Sequence, residues 1–306
     1  MKNKGDMTMI RCLDDLYAAV REKEVKSIAV AVAEDEAIIK LVQQAVQKGI
    51  ARFILTGDAK RITELLRQQG LEPSDFEIHD CASHKEAAEK AVSLVVQGKA
   101  HLVMKGELQT ALFLKALLDK EKGLRGGNLI SQITVTEKPE GDGLLMFTDC
   151  AMNITPTLEE KKQLIENAVG LAMSLGYQQP KVAVLCAVEV VNPTMPDTMD
   201  AAVLSKMAER GQIANALVDG PFALDNAISV AAAKQKKIGG PVAGQADIVL
   251  VPNLQVGNAI HKGLTYLSQR KVAAAVVGAK VPIVMTSRAD TTDTKLYSIA
   301  IATYVS

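Results

Sequence analysis

The sequence has no tryptophan, and five tyrosines and five phenylalanines bring the aromatics to only 3% of 306 residues. Readers of single-stranded nucleic acid stack bases on aromatic rings, and general nucleic-acid binders carry a basic excess. Here 35 Lys+Arg balance 35 Asp+Glu, for a formal net charge of +0. No nucleic acid is expected as a partner, although a locally basic site stays open. Four cysteines, Cys12, Cys81, Cys150 and Cys186, lie far apart with no C-x-x-C, as reduced thiols of the cytoplasm do. No apolar run reaches the roughly 18 residues of a membrane span. Lys2 and Lys4 are followed by no apolar segment, so neither a membrane nor a secretory signal is expected. Also missing are G-x-G-x-x-G, the P-loop, H-E-x-x-H and G-x-S-x-G. His79 and His84 flank Cys81 without a ligand spacing, so no metal is expected.

What is present is a globular composition, 48% apolar and 23% charged, at a length that suggests two domains. Short β-branched runs alternate with amphipathic stretches. A helix over Asp14–Glu24 precedes the strand Ser27–Ala33, the helix Glu36–Lys48 and the strand Arg52–Thr56. Asp58 is placed to cap the helix Ala59–Gln69. Phe76–Asp80, the helix His84–Gln97, the strand Leu102–Met104 and the helix Gln109–Asp119 continue the alternation. Such βα repetition demands a mainly parallel sheet covered by helices on both faces. After Gly123–Gly127, the strands Ile130–Thr136 and Leu144–Phe147 flank a turn and predict an antiparallel pair. The rhythm resumes with the helix Leu158–Leu175 and the strands Val182–Val188 and Ala216–Val218. The helix Phe222–Ala233, the strand Asp247–Val251 and the helix Gly257–Leu267 come next. Two strands and a helix from about Asp293 close the chain.

Polar, Gly-containing stretches at strand ends are where open α/β sheets place ligands, and five stand out. In Lys105-Gly106-Glu107-Leu108-Gln109-Thr110, Gly106 allows close backbone approach and a helix start offers N–H groups to an anion; an ordinary strand–turn–helix junction reads the same. In Thr148–Thr157, Thr157 and Glu160 form a capping box. Asp219–Ala227 carries Asp225 in a first helical turn, where its charge suits the dipole. Val251–Asn258 runs through Gly257 to Asn258, a cap or a ligand contact. Thr286–Asp293 packs Ser287, Arg288, Asp290 and Asp293 together. Arginine presents a planar fork to phosphate oxygens, serine can donate to developing charge and aspartate can take a proton. The plain alternative is a capped C-terminal helix.

With KGELQTA, TDCAMNITPT, DGPFALDNAIS, VAGQADIVLVPNLQVGN and TSRADT in this order, the chain resembles the phosphate acetyl/butyryl transferases over nearly its whole length. Within them it is most similar to the phosphate butyryltransferase (branched-chain phosphotransacylase) branch. Acetyl-specific members carry an arginine in the helix after the Lys105–Thr110 turn; here that helix has only Lys115 as a cation.

The resemblance implies acyl-CoA + phosphate ⇌ acyl phosphate + CoA in a ternary complex, with CoA as substrate and no tightly bound cofactor. It implies two three-layer α/β/α domains laid out like isocitrate or isopropylmalate dehydrogenase. Residues 1–130 plus 278–306 would form the first and 131–277 the second, with the active site in their cleft and the subunit in a cytoplasmic homodimer. Ser287 would stabilise the transition state, Arg288 would hold phosphate or acyl phosphate, and Asp293, with Asp290 as its rival, would deprotonate the thiol. Lys105, Gly106, Thr110, Asp225, Gly257, Asn258 and Asp290 are the expected substrate-binding residues. An acetyl-specific enzyme, a metal-dependent hydroxy-acid dehydrogenase of similar fold and a non-enzymatic sensor of CoA esters are the rival functions.

Overall fold

The computed structural model describes residues 9–306, so the reading of Lys2 and Lys4 lies outside the described residues. Two compact units divide the chain: Asp14–Asn128 with Ala273–Ser306, and Leu129–Val272 with the described part of Met1–Leu13.

In the first unit α1 (Asp15–Arg21) leads to β1 (Ser27–Ala31), α2 (Glu36–Gln47), β2 (Arg52–Gly57) and α3 (Ala59–Gln68). Then come β3 (Glu77–Asp80), α4 (His84–Val96), β4 (Leu102–Lys105) and α5 (Thr110–Leu117). The helix starts follow local chemistry. Asp35, Asp58 and Ser83 each accept backbone N–H groups of the turn they open.

The second unit opens with β5 (Ser131–Glu137), β6 (Leu144–Thr148) and α6 (Leu158–Ser174), the last started by the Thr157–Glu160 capping box. β7 (Lys181–Leu185), α7 (Pro196–Glu209), β8 (Leu217–Phe222), α8 (Leu224–Ile228), α9 (Val230–Gln235), β9 (Ile248–Leu250) and α10 (Leu254–Lys262) follow. The chain then returns to the first unit as β10 (Val272–Val277), β11 (Ile283–Val284) and α11 (Thr292–Val305).

Strands of the first unit run in the order β3-β2-β1-β4-β11-β10. β1 to β4 and β11 are parallel, and β10 is antiparallel to β11. The side chains of β1, β2, β4, β10 and β11 are mostly buried, as strands covered on both faces require, while the edge strand β3 has none buried. From β1 the chain winds outward to β3, then crosses to β4 on the other side of β1. Right-handed crossovers therefore put α4 on the opposite face from α2 and α3. The second unit's order is β5-β6-β9-β7-β8, with an antiparallel β5–β6 pair and parallel neighbours beyond it. Leu145, Phe147, Phe222 and Val249 lie at its core.

The structure departs from expectation most clearly in four places. Residues 9–13 group with the second unit because Ile10 N–H bonds to Leu175 O and Leu13 N–H to the Glu137 carboxylate. β10, expected in the second domain, groups from Ala273 onward with the first. α7 was not anticipated at all. It starts at Pro196 and buries Thr198, Ala201 and Leu204 while exposing Met199 and Val203, so its apolar residues lie on two faces and give no single stripe. The expected helix Phe222–Ala233 begins only after Phe222 ends β8, and it breaks at Ser229, which is extended.

Candidate active site

The reversal of strand order between β1 and β4 is a topological switch point, and the crevice at the carboxyl ends of these strands is where an open α/β sheet receives a ligand. β4 ends there in Lys105-Gly106-Glu107. Gly106 N–H donates to Ala31 O and Glu107 N–H to Val32 O, both at 2.9 Å. Val32 is fully buried and held at φ +63°, a conformation that β-branched residues rarely adopt. A Cβ on Gly106 would lie 1.9 Å from Val32 O and 2.5 Å from Ala31 O. Gly106 thus lets the β4 turn lie against the end of β1, a close approach of backbone to backbone. Gly106→Ala is expected to destabilise the protein by about 2–3 kcal/mol, since both contacts are with backbone that cannot swing away. Denaturant unfolding checks it, and an unchanged midpoint would contradict the packing assigned to Gly106.

Lys105 is half-buried, its Nζ 3.3 Å from Gly106 O. Burial pushes its ammonium down, Glu107 opposes that, and nearby Arg288 adds to it. Thr110, exposed, opens α5, whose preceding Gln109 makes no side-chain cap.

β11 pairs directly with β4, Ile283 beside Val103 and Val284 beside Met104, so the turn after β11 emerges next to the Lys105–Glu107 turn. Its residues divide by role. Asp290 is buried; its Oδ2 accepts the Ser287 N–H at 2.8 Å, and its own N–H donates to Ser287 O at 3.1 Å. Ser287 is exposed. Arg288, with a side chain 69% exposed, forms an ion pair with Glu107. Thr291 caps α11 by accepting the Thr294 N–H. Asp293 is exposed in the first turn of α11, one turn before Tyr297, whose ring stacks on Tyr17.

Lys105, Gly106, Ser287, Arg288 and Asp290 therefore converge on two adjacent strand ends, with Thr110 and Asp293 on the helices that follow. Glu107 was not anticipated as a site residue. Its signal was a carboxylate inside a motif otherwise suited to an anion.

The remaining expected residues belong to the second unit. Asp225 is held by Lys236 Nζ at 2.9 Å, which also keeps its carboxyl below the usual range. Gly257 brings α10 against the turn after β6: a Cβ there would lie 2.3 Å from Asp149 O. Asn258 is no cap. Asn253 caps α10 by accepting the Val256 N–H, and Asn258 sits exposed inside the helix. That same turn is organised by Asp149, 2% exposed, which accepts from the N–H groups of Gln132, Ala151, Met152 and Asn153 and from Asn153 Nδ2.

His79 pairs with Glu77 and His84 with Glu34. Among the described residues no group of three or more His, Cys, Asp or Glu side chains could hold a metal ion. Nor is any described helix long and apolar enough to cross a membrane.

Comparison with known proteins bears on these motifs. The profile of the phosphate acetyl/butaryl transferase family matches residues 12–92 and 82–303. The phosphate butyryltransferase of Clostridium acetobutylicum is 48% identical over 297 residues, 97% of this chain and 99% of that protein. The crystal structure of a branched-chain phosphotransacylase from Enterococcus faecalis V583 superposes with a TM-score of 0.82 at 35% identity, covering 92% of this chain and 99% of that one. In fold alone, a 4-hydroxythreonine-4-phosphate dehydrogenase candidate from Salmonella typhimurium matches at a TM-score of 0.60 and 12% identity, covering 92% of this chain and 100% of that one.

Proposed function

The chain belongs to the phosphate acetyl/butaryl transferase family, and from that premise we propose that it exchanges a short- or branched-chain acyl group between CoA and inorganic phosphate. The observation that carries the reading is the meeting of Arg288, Lys105 and Ser287 at the β4 and β11 ends. Arg288 offers its fork to two phosphate oxygens while Lys105 supplies a second positive charge. Ser287 donates from Oγ to the oxyanion that forms as the acyl carbonyl is attacked. Its backbone N–H already belongs to Asp290, so the hydroxyl is the group left for that task.

Asp290 thus has a structural duty, and we assign the thiol proton to Asp293. A thiol with a pKa near 8.5 needs such a base at neutral pH. Both substrates bind together, and orientation supplies much of the acceleration without a covalent enzyme intermediate. Thr110, at the start of α5, contributes to phosphate binding, and exposed Asn258 is the member of its motif suited to a CoA contact.

The same reading makes the enzyme a cytoplasmic homodimer. Supporting a dimer formed through the second unit, the exposed large apolar side chains there include Ile154, Val190, Val191, Met199, Val203 and Leu267, against Val25, Val46 and Val96 in the first.

The test is a chain-length series of acyl-CoAs assayed for phosphate-dependent thiol release. Butyryl-CoA or a branched analogue is expected to exceed acetyl-CoA in kcat/KM by about tenfold or more, since each methylene is worth about 1–3 kcal/mol. Acetyl-CoA as best substrate would overturn the chain preference. No phosphate-dependent release from any thioester would favour a sensor of CoA esters.

A further inference from the structure

The proposed phosphate subsite contains a carboxylate. Glu107 stands against Arg288, and its backbone is tied to the end of β1. Its N–H is bonded to Val32 O, and the preceding Gly106 is pressed against the end of β1. Arg288, by contrast, projects into solvent from a turn that Asp290 closes. The fixed member of the pair is the acid. A carboxylate beside the two cations that would receive an anion weakens binding of every anion unless that anion brings a hydrogen to donate.

Hydrogen phosphate does so. At neutral pH it carries one O–H among four oxygens, whereas sulfate has the same shape and charge and none. We propose that Glu107 is a specificity-determining residue that accepts the hydrogen of a protonated phosphate oxygen, so that the subsite takes hydrogen phosphate and rejects sulfate. Arg288 and Lys105 then hold two anionic oxygens, Glu107 holds the protonated one, and the fourth oxygen faces the acyl carbon. A site built around a substrate hydroxyl discriminates strongly against the analogue that lacks it, because its acceptor is left facing a lone pair. The inference rests on the reading of Arg288 as the phosphate residue.

The experiment measures the KM of phosphate and the Ki of sulfate, competing with phosphate at constant ionic strength, for the wild-type enzyme, Glu107→Gln and Arg288→Ala. The wild-type ratio of sulfate Ki to phosphate KM is expected to be large, and Glu107→Gln is expected to lower it by about tenfold to a hundredfold, the worth of a hydrogen bond to a charged group. A merely structural role for Glu107 would shift both constants together and leave the ratio unchanged. A wild-type ratio near one, or the same ratio in Glu107→Gln, overturns the proposal.

Arg288→Ala separates the two levels. If it raises phosphate KM and sulfate Ki together while Glu107→Gln leaves the ratio intact, only the role of Glu107 falls. If it moves neither constant, the phosphate subsite itself is misplaced and the proposal falls with it. Calorimetric titration of the same proteins with phosphate and with sulfate reads the same ratio where a variant turns over too slowly.

Discussion

Ser287→Ala is expected to fold normally and to lose about a hundredfold to a thousandfold in kcat, the loss that follows removal of one donor to a developing oxyanion. Ser287 is exposed, so truncating it opens no cavity. Its main-chain bonds run through N–H and C=O to Asp290 and survive the change. The remaining effect is the missing hydroxyl. Arg288→Ala should fall comparably in kcat/KM, with much of the loss in the KM of phosphate. Arg288→Lys should restore only part of it, because an ammonium keeps the charge and lacks the two-pronged geometry. Steady-state kinetics in both directions on the purified variants decide the matter. Near-wild-type values for both alanine variants would remove these residues from the reaction.

The largest expected effect on stability lies elsewhere, at Asp149. This buried carboxylate accepts from four backbone N–H groups and one side-chain amide, and so shapes the turn between β6 and α6. α10 rests on the same turn through Gly257. Asp149→Ala leaves those donors without their acceptor. Water can reach exposed Ala151 and partly exposed Met152, but Gln132 is buried on β5. A loss of about 3 kcal/mol is expected, corresponding to a fall of roughly 6–12 °C in Tm for a unit of this size. Thermal unfolding followed by circular dichroism measures it, and a Tm unchanged within error would show that the turn is held by other contacts.

What could be read from the sequence was what is local. Asp58 and the Thr157–Glu160 pair announced their helices because a cap and its partners lie within three residues. The β5–β6 pair was marked by two apolar runs around a turn. α7 lacks a clean 3.6-residue stripe because Met199 and Val203 add apolar residues to its outward face, beside Lys206 and Glu209. Gly106 and Gly257 looked like ligand glycines; what they approach is the chain's own backbone, brought close by strand order and helix packing that no local pattern encodes. At the site, the residue types of TSRAD were legible. The separation of Asp290 from Asp293 was not, since it depends on which carboxylate turns inward to Ser287 N–H. The partnership of Glu107 with Arg288 was equally hidden, because it arises only when β11 inserts beside β4.

That insertion bears on how the protein is made. Until the ribosome has produced residues 273–306, β4 has no neighbour on the side that β11 will occupy, and an unpaired strand edge invites association with other chains. Leu129–Val272 is synthesised in between, so the earlier unit waits for its last strands. The last strand to be translated closes the exposed edge and delivers Ser287 and Arg288 in the same event. A nascent chain that stalls before β11 would therefore keep that edge open and, with Ser287 and Arg288 in the roles proposed for them, would also be inactive.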